Sequence, residues 1–166
     1  MWSELETYFK KFPAQKRVAI LLLRRGLRIK NGKVLCGKLE IPHTQIAKEL
    51  GVDRRVVDAT TTRILENKKL GEVYSKLQPI AFLRESAPAM GLNVIVITAD
   101  DASKPGIIGS ITSRIAEHRI SIRQALAEDP YLLESPELTV ITEGEIPGEL
   151  INELRKIEGV KKVTIY

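Results

Sequence analysis

The side chains best suited to chemistry are few and scattered. The 166-residue chain has two histidines, His43 and His118, and one cysteine, Cys36. Neither histidine has a cysteine or an acidic pair at metal-ligand spacing, and a single thiol forms neither an internal disulfide nor a thiolate cluster. Asp100 and Asp101 are adjacent, so on an extended chain they point to different sides and make a poor general acid/base pair. No glycine-rich phosphate loop, nucleophile elbow or Ser–His–Asp order is present. These features predict no enzyme, no metal site and no cofactor. Two other stretches have residue types and spacing suited to binding. One is Arg54-Arg55, at the start of a helical pattern in a strongly basic half of the chain. Residues 1–86 hold 18 basic and 9 acidic side chains, a net of +9, whereas residues 87–166 hold 8 and 12, a net of −4. That asymmetry predicts a polyanion partner for the first half alone, against the plainer reading of a solvated basic surface. The other stretch, Asp100 to Gly109, is a turn that delivers Pro105-Gly106 to a helix N-terminus. Unpaired amides of a first helical turn can hold a carboxylate, and glycine lets a ligand approach the backbone.

The elements that must position these residues divide at about residue 86. From Trp2 to Arg25, apolar residues interrupted by Pro13 predict a short helix and a second, more buried one ending before Gly26. Leu27 to Ile41 reads as short extended pieces with a hairpin at Asn31-Gly32. Thr44 to Leu50 and Asp53 to Glu66 read as two helices separated by Gly51-Val52. Leu70 to Leu83, with Val73, Tyr74, Ile80 and Phe82, suggests a wing or an exiting strand. Residues 84–91 lose periodicity and carry Pro88 and Gly91, the mark of a linker between a domain at 1–85 and another at 91–166.

Beyond the linker the order is strand (Leu92 to Ala99), helix (Pro105 to His118), strand (Ile120 to Ala127), strand (Glu137 to Thr142), helix (Pro147 to Ile157) and strand (Lys162 to Tyr166). Both helices are expected to open on proline. Each carries one apolar stripe, which suits packing on one sheet face, and the βαββαβ order is the split arrangement of ferredoxin-like domains. In the first strand Val94 and Val96 alternate with Ile95 and Ile97, so both sheet faces are apolar. Two helices cover only one, and a partner subunit or the N-terminal domain is expected on the other. The overall class is therefore α+β.

Within Thr44 to Val57 each spacing has a physical role. Small Ala47 permits a close helix crossing, Gly51 ends the first helix left-handed, Val57 with Ile46 and Leu50 fills the gap, and Asp53 caps the next helix. The stripe continues inward through Thr61 and Ile64. This run resembles the helix-turn-helix of DNA-binding regulators within a winged-helix domain. The resemblance implies a recognition helix at Asp53 to Glu66, with Arg54, Arg55, Ala59 and Thr62 facing the groove of double-stranded DNA and Lys68 and Lys69 near phosphates. Such units in multidomain proteins also serve only to pack or dimerise.

Pro105-Gly106-Ile107-Ile108, with the spacing onward to Ile120-Ser121-Ile122, resembles the opening of an ACT domain, the regulatory module of amino-acid metabolism, and the likeness covers nearly all of 91–166. The acidic residue that the ACT pattern usually places two positions before the proline is Ser103 here, with Asp100 and Asp101 upstream. The whole chain is similar to archaeal helix-turn-helix plus ACT proteins described as predicted regulators of amino-acid metabolism and suggested to act on homoserine dehydrogenase. That likeness implies an amino-acid effector, a homodimer or higher homo-oligomer through the ACT domain, and a ligand site using Asp101, Ser103, Pro105, Gly106, Ile107, Gly109 and Gln124 of the second strand. Close helix–sheet packing is the alternative account of Gly106 and Gly109. The expected activity is amino-acid-responsive DNA binding. The alternatives are a regulatory subunit of a biosynthetic enzyme, which does not touch DNA, and a pure oligomerisation module. An acidic, amphipathic opening at Met1 to Glu4, no long apolar run and one cysteine predict a cytoplasmic protein that does not meet a membrane.

Overall fold

A computed structural model describes Trp2–Tyr166, with side chains from Leu5 onward, and divides into two compact units, one ending at Ala81 and the other spanning Phe82–Tyr166. The expectation drawn from Met1 to Glu4 falls on residues whose side chains lie outside that description. No described helix is long and apolar enough to cross a membrane.

The first unit runs α1 (Trp2–Phe9), α2 (Pro13–Arg24), β1 (Arg28–Lys30), β2 (Lys33–Cys36), β3 (Leu39–Ile41), α3 (His43–Leu50), α4 (Arg54–Glu66) and α5 (Lys68–Ser75). Pro13 begins α2, where its missing amide hydrogen costs nothing. The hairpin turns at Asn31-Gly32 as expected: both residues have positive φ, and Lys30 pairs with Lys33 across the turn. A third antiparallel strand, β3, completes the small sheet. Gly51 ends α3 at φ 61°, and the Asp53 carboxylate accepts the Arg55 amide at 2.8 Å to cap α4. Ala47, Val57 and Ile64 are buried in one core with Phe9, Leu22, Ile29 and Tyr74, and Thr61 is buried as well. The wing expected over Leu70 to Leu83 is absent: residues 68–75 are helical. Val73 and Tyr74 are β-prone, but Leu70, Val73, Tyr74 and Leu77 recur at helical spacing and pack inward. Asn67 caps the helix by accepting the amides of Lys69 and Leu70, both at 3.1 Å. Period and cap outweigh strand propensity here.

The second unit contains β4 (Asn93–Ala99), α6 (Ile107–Glu117), β5 (Ser121–Ala127), β6 (Glu137–Glu143), α7 (Gly148–Lys156) and β7 (Val160–Ile165). All its strand pairs are antiparallel, in the order β5-β6-β4-β7, so each helix connects two strands that are not neighbours. Ile95, Ile97, Val140 and Val163 meet Ile107, Ile111 and Ile115 of α6 and Leu150 and Leu154 of α7 in one core. The two prolines stand just before their helices instead of opening them. Gly106 is the N-cap of α6 at φ 93°, a conformation closed to proline, and Pro147 is the N-cap of α7.

Residues 84–91 are not a linker. Ala87 is fully buried with Val94, Val96 and Ile141, and Leu83 and Leu92 pack beside it, so the segment lies on the sheet face away from the helices. A 3₁₀ turn at Pro88–Met90 and left-handed Gly91 bend it back, closed by the Leu92 amide donating to the Ala87 carbonyl at 3.0 Å. Arg84 pins its start to Glu137 at 2.6 Å and lies over the Tyr166 ring, 5.5 Å from its centroid. The second apolar face of β4 thus receives cover from its own unit. Short irregular segments with proline have no periodicity to reveal a buried side chain, which is why composition alone reads this one as a connector.

Candidate functional site

The second unit encloses a cavity of about 260 Å³ at one end of its sheet. The C-terminal ends of β4 and β5 contribute Ile97, Ala99 and Ala127, the start of β6 contributes Leu138, and the turn Ala102–Ile108 closes over them with Ile111 beneath. The floor is aliphatic, while Lys104 of the turn and Glu128 bring both signs of charge to the lining; Glu137 also lines it, but its carboxylate is taken up by Arg84 at 2.6 Å. The volume falls below the roughly 300–1,000 Å³ of pockets for drug-sized ligands. It therefore suits a small metabolite with an apolar part and polar ends.

The turn itself is built by local hydrogen bonds. Asp101 accepts from the Ser103 amide at 2.9 Å and from the Ser103 hydroxyl at 2.6 Å, and these bonds hold its carboxyl below the usual carboxylate range. The Asp101 carboxylate is thus occupied in shaping the turn and does not line the cavity. Lys104 pairs with Glu158 at 2.6 Å, which raises the ammonium above its ordinary value and lowers the carboxyl. Gly106 then swings into the left-handed region and starts α6 without a side-chain cap. The first helical bond runs from the Ser110 amide to the Gly106 carbonyl at 2.9 Å, so the amides of Ile107, Ile108 and Gly109 precede the regular ladder. They give the turn the positive end of a helix dipole beside an apolar cavity.

Of the residues singled out in this turn, Ser103, Pro105, Gly106 and Ile107 line the cavity, whereas Asp101, Gly109 and Gln124 do not. Close packing does not explain the two glycines, because a Cβ at Gly106 or Gly109 would meet nothing within 4 Å. Backbone conformation explains Gly106. Gln124 lies on the other sheet face, where its Oε1 accepts the Leu83 amide at 3.0 Å. The cause is a register shift between Ile122 and Gln124: Ile122 opposes Thr142 and Gln124 opposes the next residue, Ile141. Ile122 packs toward the helices, and the extra residue Arg123 turns Gln124 away from them. Ala127 consequently reaches the cavity in its place. Lys104, Glu128 and Glu137 carry no signal in the sequence, where a charged residue after a strand or in a turn looks like ordinary solvated surface.

In the first unit the exposed side of α4 brings together Arg55, Ala59 and Thr62, with Arg54 beside them. Arg54 pairs through Nε with Asp58 Oδ2 at 3.3 Å, and Arg55 pairs through Nε with Asp53 Oδ1 at 3.0 Å. The Asp53 pairing lowers its carboxyl and raises the Arg55 guanidinium. Both arginine side chains stay largely exposed, at 63% and 86%. The Thr62 hydroxyl donates to the Asp58 carbonyl at 3.1 Å, and Lys68 and Lys69 are exposed at the start of α5. His43 sits at the start of α3 with Nδ1 2.6 Å from Asp58 Oδ1, and His118 caps α6 with Nε2 2.9 Å from Glu153. The histidine at the α6 end thus bridges to α7 as well as standing where a cation complements the helix C-terminus. Among the described residues no three His, Cys, Asp or Glu side chains gather as a metal site would require.

No family model matches the chain, and no curated protein matches it. Fold and site define a two-unit α+β protein with a metabolite-sized cavity in the second unit and an arginine-bearing exposed helix in the first.

Proposed function

We propose that the chain is an amino-acid-responsive regulator of amino-acid metabolism, working in the cytoplasm, in which an ACT-type sensor of ferredoxin-like topology governs a DNA-binding helix-turn-helix. The observation that carries this reading is the cavity beneath Ala102–Ile108. An uncapped helix N-terminus meets a ligand carboxylate, Glu128 faces an ammonium, and Ile97, Ile111 and Leu138 take an aliphatic side chain. Pairing of two second units would set the separation of two α4 helices, and ligand occupancy would change that separation. A thermal-shift screen against the common amino acids tests the sensing half. At a concentration one hundred times its dissociation constant, a ligand adds about 2.7 kcal/mol, on the order of 10 °C for a unit of this size. A screen in which no amino acid moves the melting temperature rejects the sensor.

For the first unit, the expected result is salt-dependent retention of duplex DNA. Substituting Arg54→Ala together with Arg55→Ala should weaken retention and reduce the slope of log affinity against log salt by about one for each phosphate no longer neutralised. A second reading has one observation in its favour: both arginines already have carboxylate partners within the chain. It is a regulatory subunit that binds a biosynthetic enzyme, such as homoserine dehydrogenase, and passes on ligand occupancy without touching DNA. Unaltered DNA retention in the double variant, together with co-purification of such an enzyme, would select that reading.

A further inference from the structure

An acidic side chain, Asp58, stands among the residues that α4 offers to nucleic acid, where a carboxylate opposes phosphates and weakens association. The exposed pair it makes with Arg54 contributes about 0–1 kcal/mol to stability, a poor reason for its presence. Its geometry supplies a better one. Asp58 follows Arg54 by one helical turn, and its Oδ2 lies 3.3 Å from Arg54 Nε. The other oxygen, Oδ1, lies 2.6 Å from Nδ1 of His43, whose side chain is only 17% exposed. The carboxylate is therefore braced from α3 and stands beside a guanidinium on α4. Arg55 differs, because Asp53 takes both its Nε, at 3.0 Å, and its Nη2, at 3.4 Å. The carboxylate approaches Arg54 at Nε and the side chain stays 63% exposed; the terminal nitrogens of a guanidinium are the fork that reads a guanine edge in two hydrogen bonds.

Resting on the nucleic-acid reading of α4, we propose that Asp58 is a specificity-determining positioning residue: braced by His43, it orients Arg54 for base recognition and opposes its diversion to phosphate. Discrimination is a difference of affinities, and a fixed carboxylate lowers the affinity of every arrangement in which Arg54 serves only as a charge. Removing it should raise affinity for arbitrary duplex while lowering selectivity.

The test is selection of bound duplexes from a randomised library by the full chain, alongside its affinity for one fixed mixed-sequence duplex. The parent should enrich a motif. Asp58→Asn should bind the fixed duplex more tightly, with discrimination at one motif position falling about ten-fold or more. Arg54→Ala should lose the same position but bind the fixed duplex more weakly, an opposition that a merely structural role of Asp58 does not produce. Should Asp58→Asn not fold, Arg54→Lys keeps the charge at an exposed position and removes the fork, and it should lose that same position. An unchanged motif in Asp58→Asn or in Arg54→Lys overturns the inference and leaves DNA binding intact. A parent chain that retains no duplex at any salt concentration overturns the reading of α4 as well.

Discussion

Replacing Gly26 by alanine is expected to destabilise the first unit by about 3 kcal/mol or more, while the same change at Gly51 costs only about 1–2 kcal/mol. The two glycines have nearly the same backbone conformation, φ 62° and 61°. Both substitutions therefore incur the left-handed penalty of an L-residue. They differ in surroundings. A Cβ at Gly51 would meet nothing within 4 Å, whereas at Gly26 it would lie 2.2 Å from the Gln78 carbonyl oxygen and 2.9 Å from the Pro79 Cα. Those atoms are backbone and cannot rotate away, so the chain leaving α5 would have to move off the end of α2. Urea titration of both variants, followed by circular dichroism, measures the difference through the midpoint of the first unit. Equal shifts for the two would show that the Gln78–Pro79 approach is not maintained in solution.

Tyr74 carries the second large effect. It is the largest fully buried side chain of the first core, and its hydroxyl donates to the Ala19 carbonyl of α2 at 2.9 Å. Tyr74→Ala is expected to cost about 3–5 kcal/mol, the range for emptying a buried aromatic site, whereas Tyr74→Phe keeps the packing and should cost about 1 kcal/mol. The phenol also ties stability to alkaline pH. Burial raises its pKa well above the ordinary phenol value, so the folded protein keeps a proton that the unfolded chain releases above about pH 10. Stability is fully present below that pH and falls as pH rises, by about 1.4 kcal/mol per unit from this group, until the folded phenol itself ionises. Denaturant midpoints between about pH 9 and 11 should therefore decline more steeply in the parent than in Tyr74→Phe. Parallel declines would show that Tyr74 is not protected from solvent as its packing requires.

Legibility in the sequence follows interaction range. The helix pair is readable because each signal acts within one turn: Gly51 must adopt positive φ, Asp53 caps two residues onward, and Ala47, Val57 and Ile64 recur at helical spacing. The hairpin at Asn31-Gly32 and the strand and helix order after residue 92 are readable for the same reason. The α5 helix misleads because two local signals conflict there, the β-prone Val73-Tyr74 against the Asn67 cap and an apolar stripe. Part of the site is visible as well. Pro105-Gly106 announces a turn into a helix, and that turn does close the cavity.

The sequence by itself determined the strand and helix order after residue 92, the hairpin and the helix pair of the first unit, the two units' opposite charges and the turn at Ala102–Ile108, because these depend on residue type and on period. Only the tertiary structure decided what stands around that turn. Arg123 is inserted into β5, and that one extra residue moves Gln124 to the far face and puts Ala127 at the cavity. Nothing in Ile122-Arg123-Gln124 marks the insertion, since a bulge is defined by the strand opposite. Tertiary packing also gave residues 83–92 their role on the outer face of β4, where Ala87 is buried by Val94, Val96 and Ile141. It placed Asp58 between His43 and Arg54, since a carboxylate can be braced from a second helix only when two helices cross. Local chemistry is written along the chain; pairing across strands and bracing across helices require the partner to be in place.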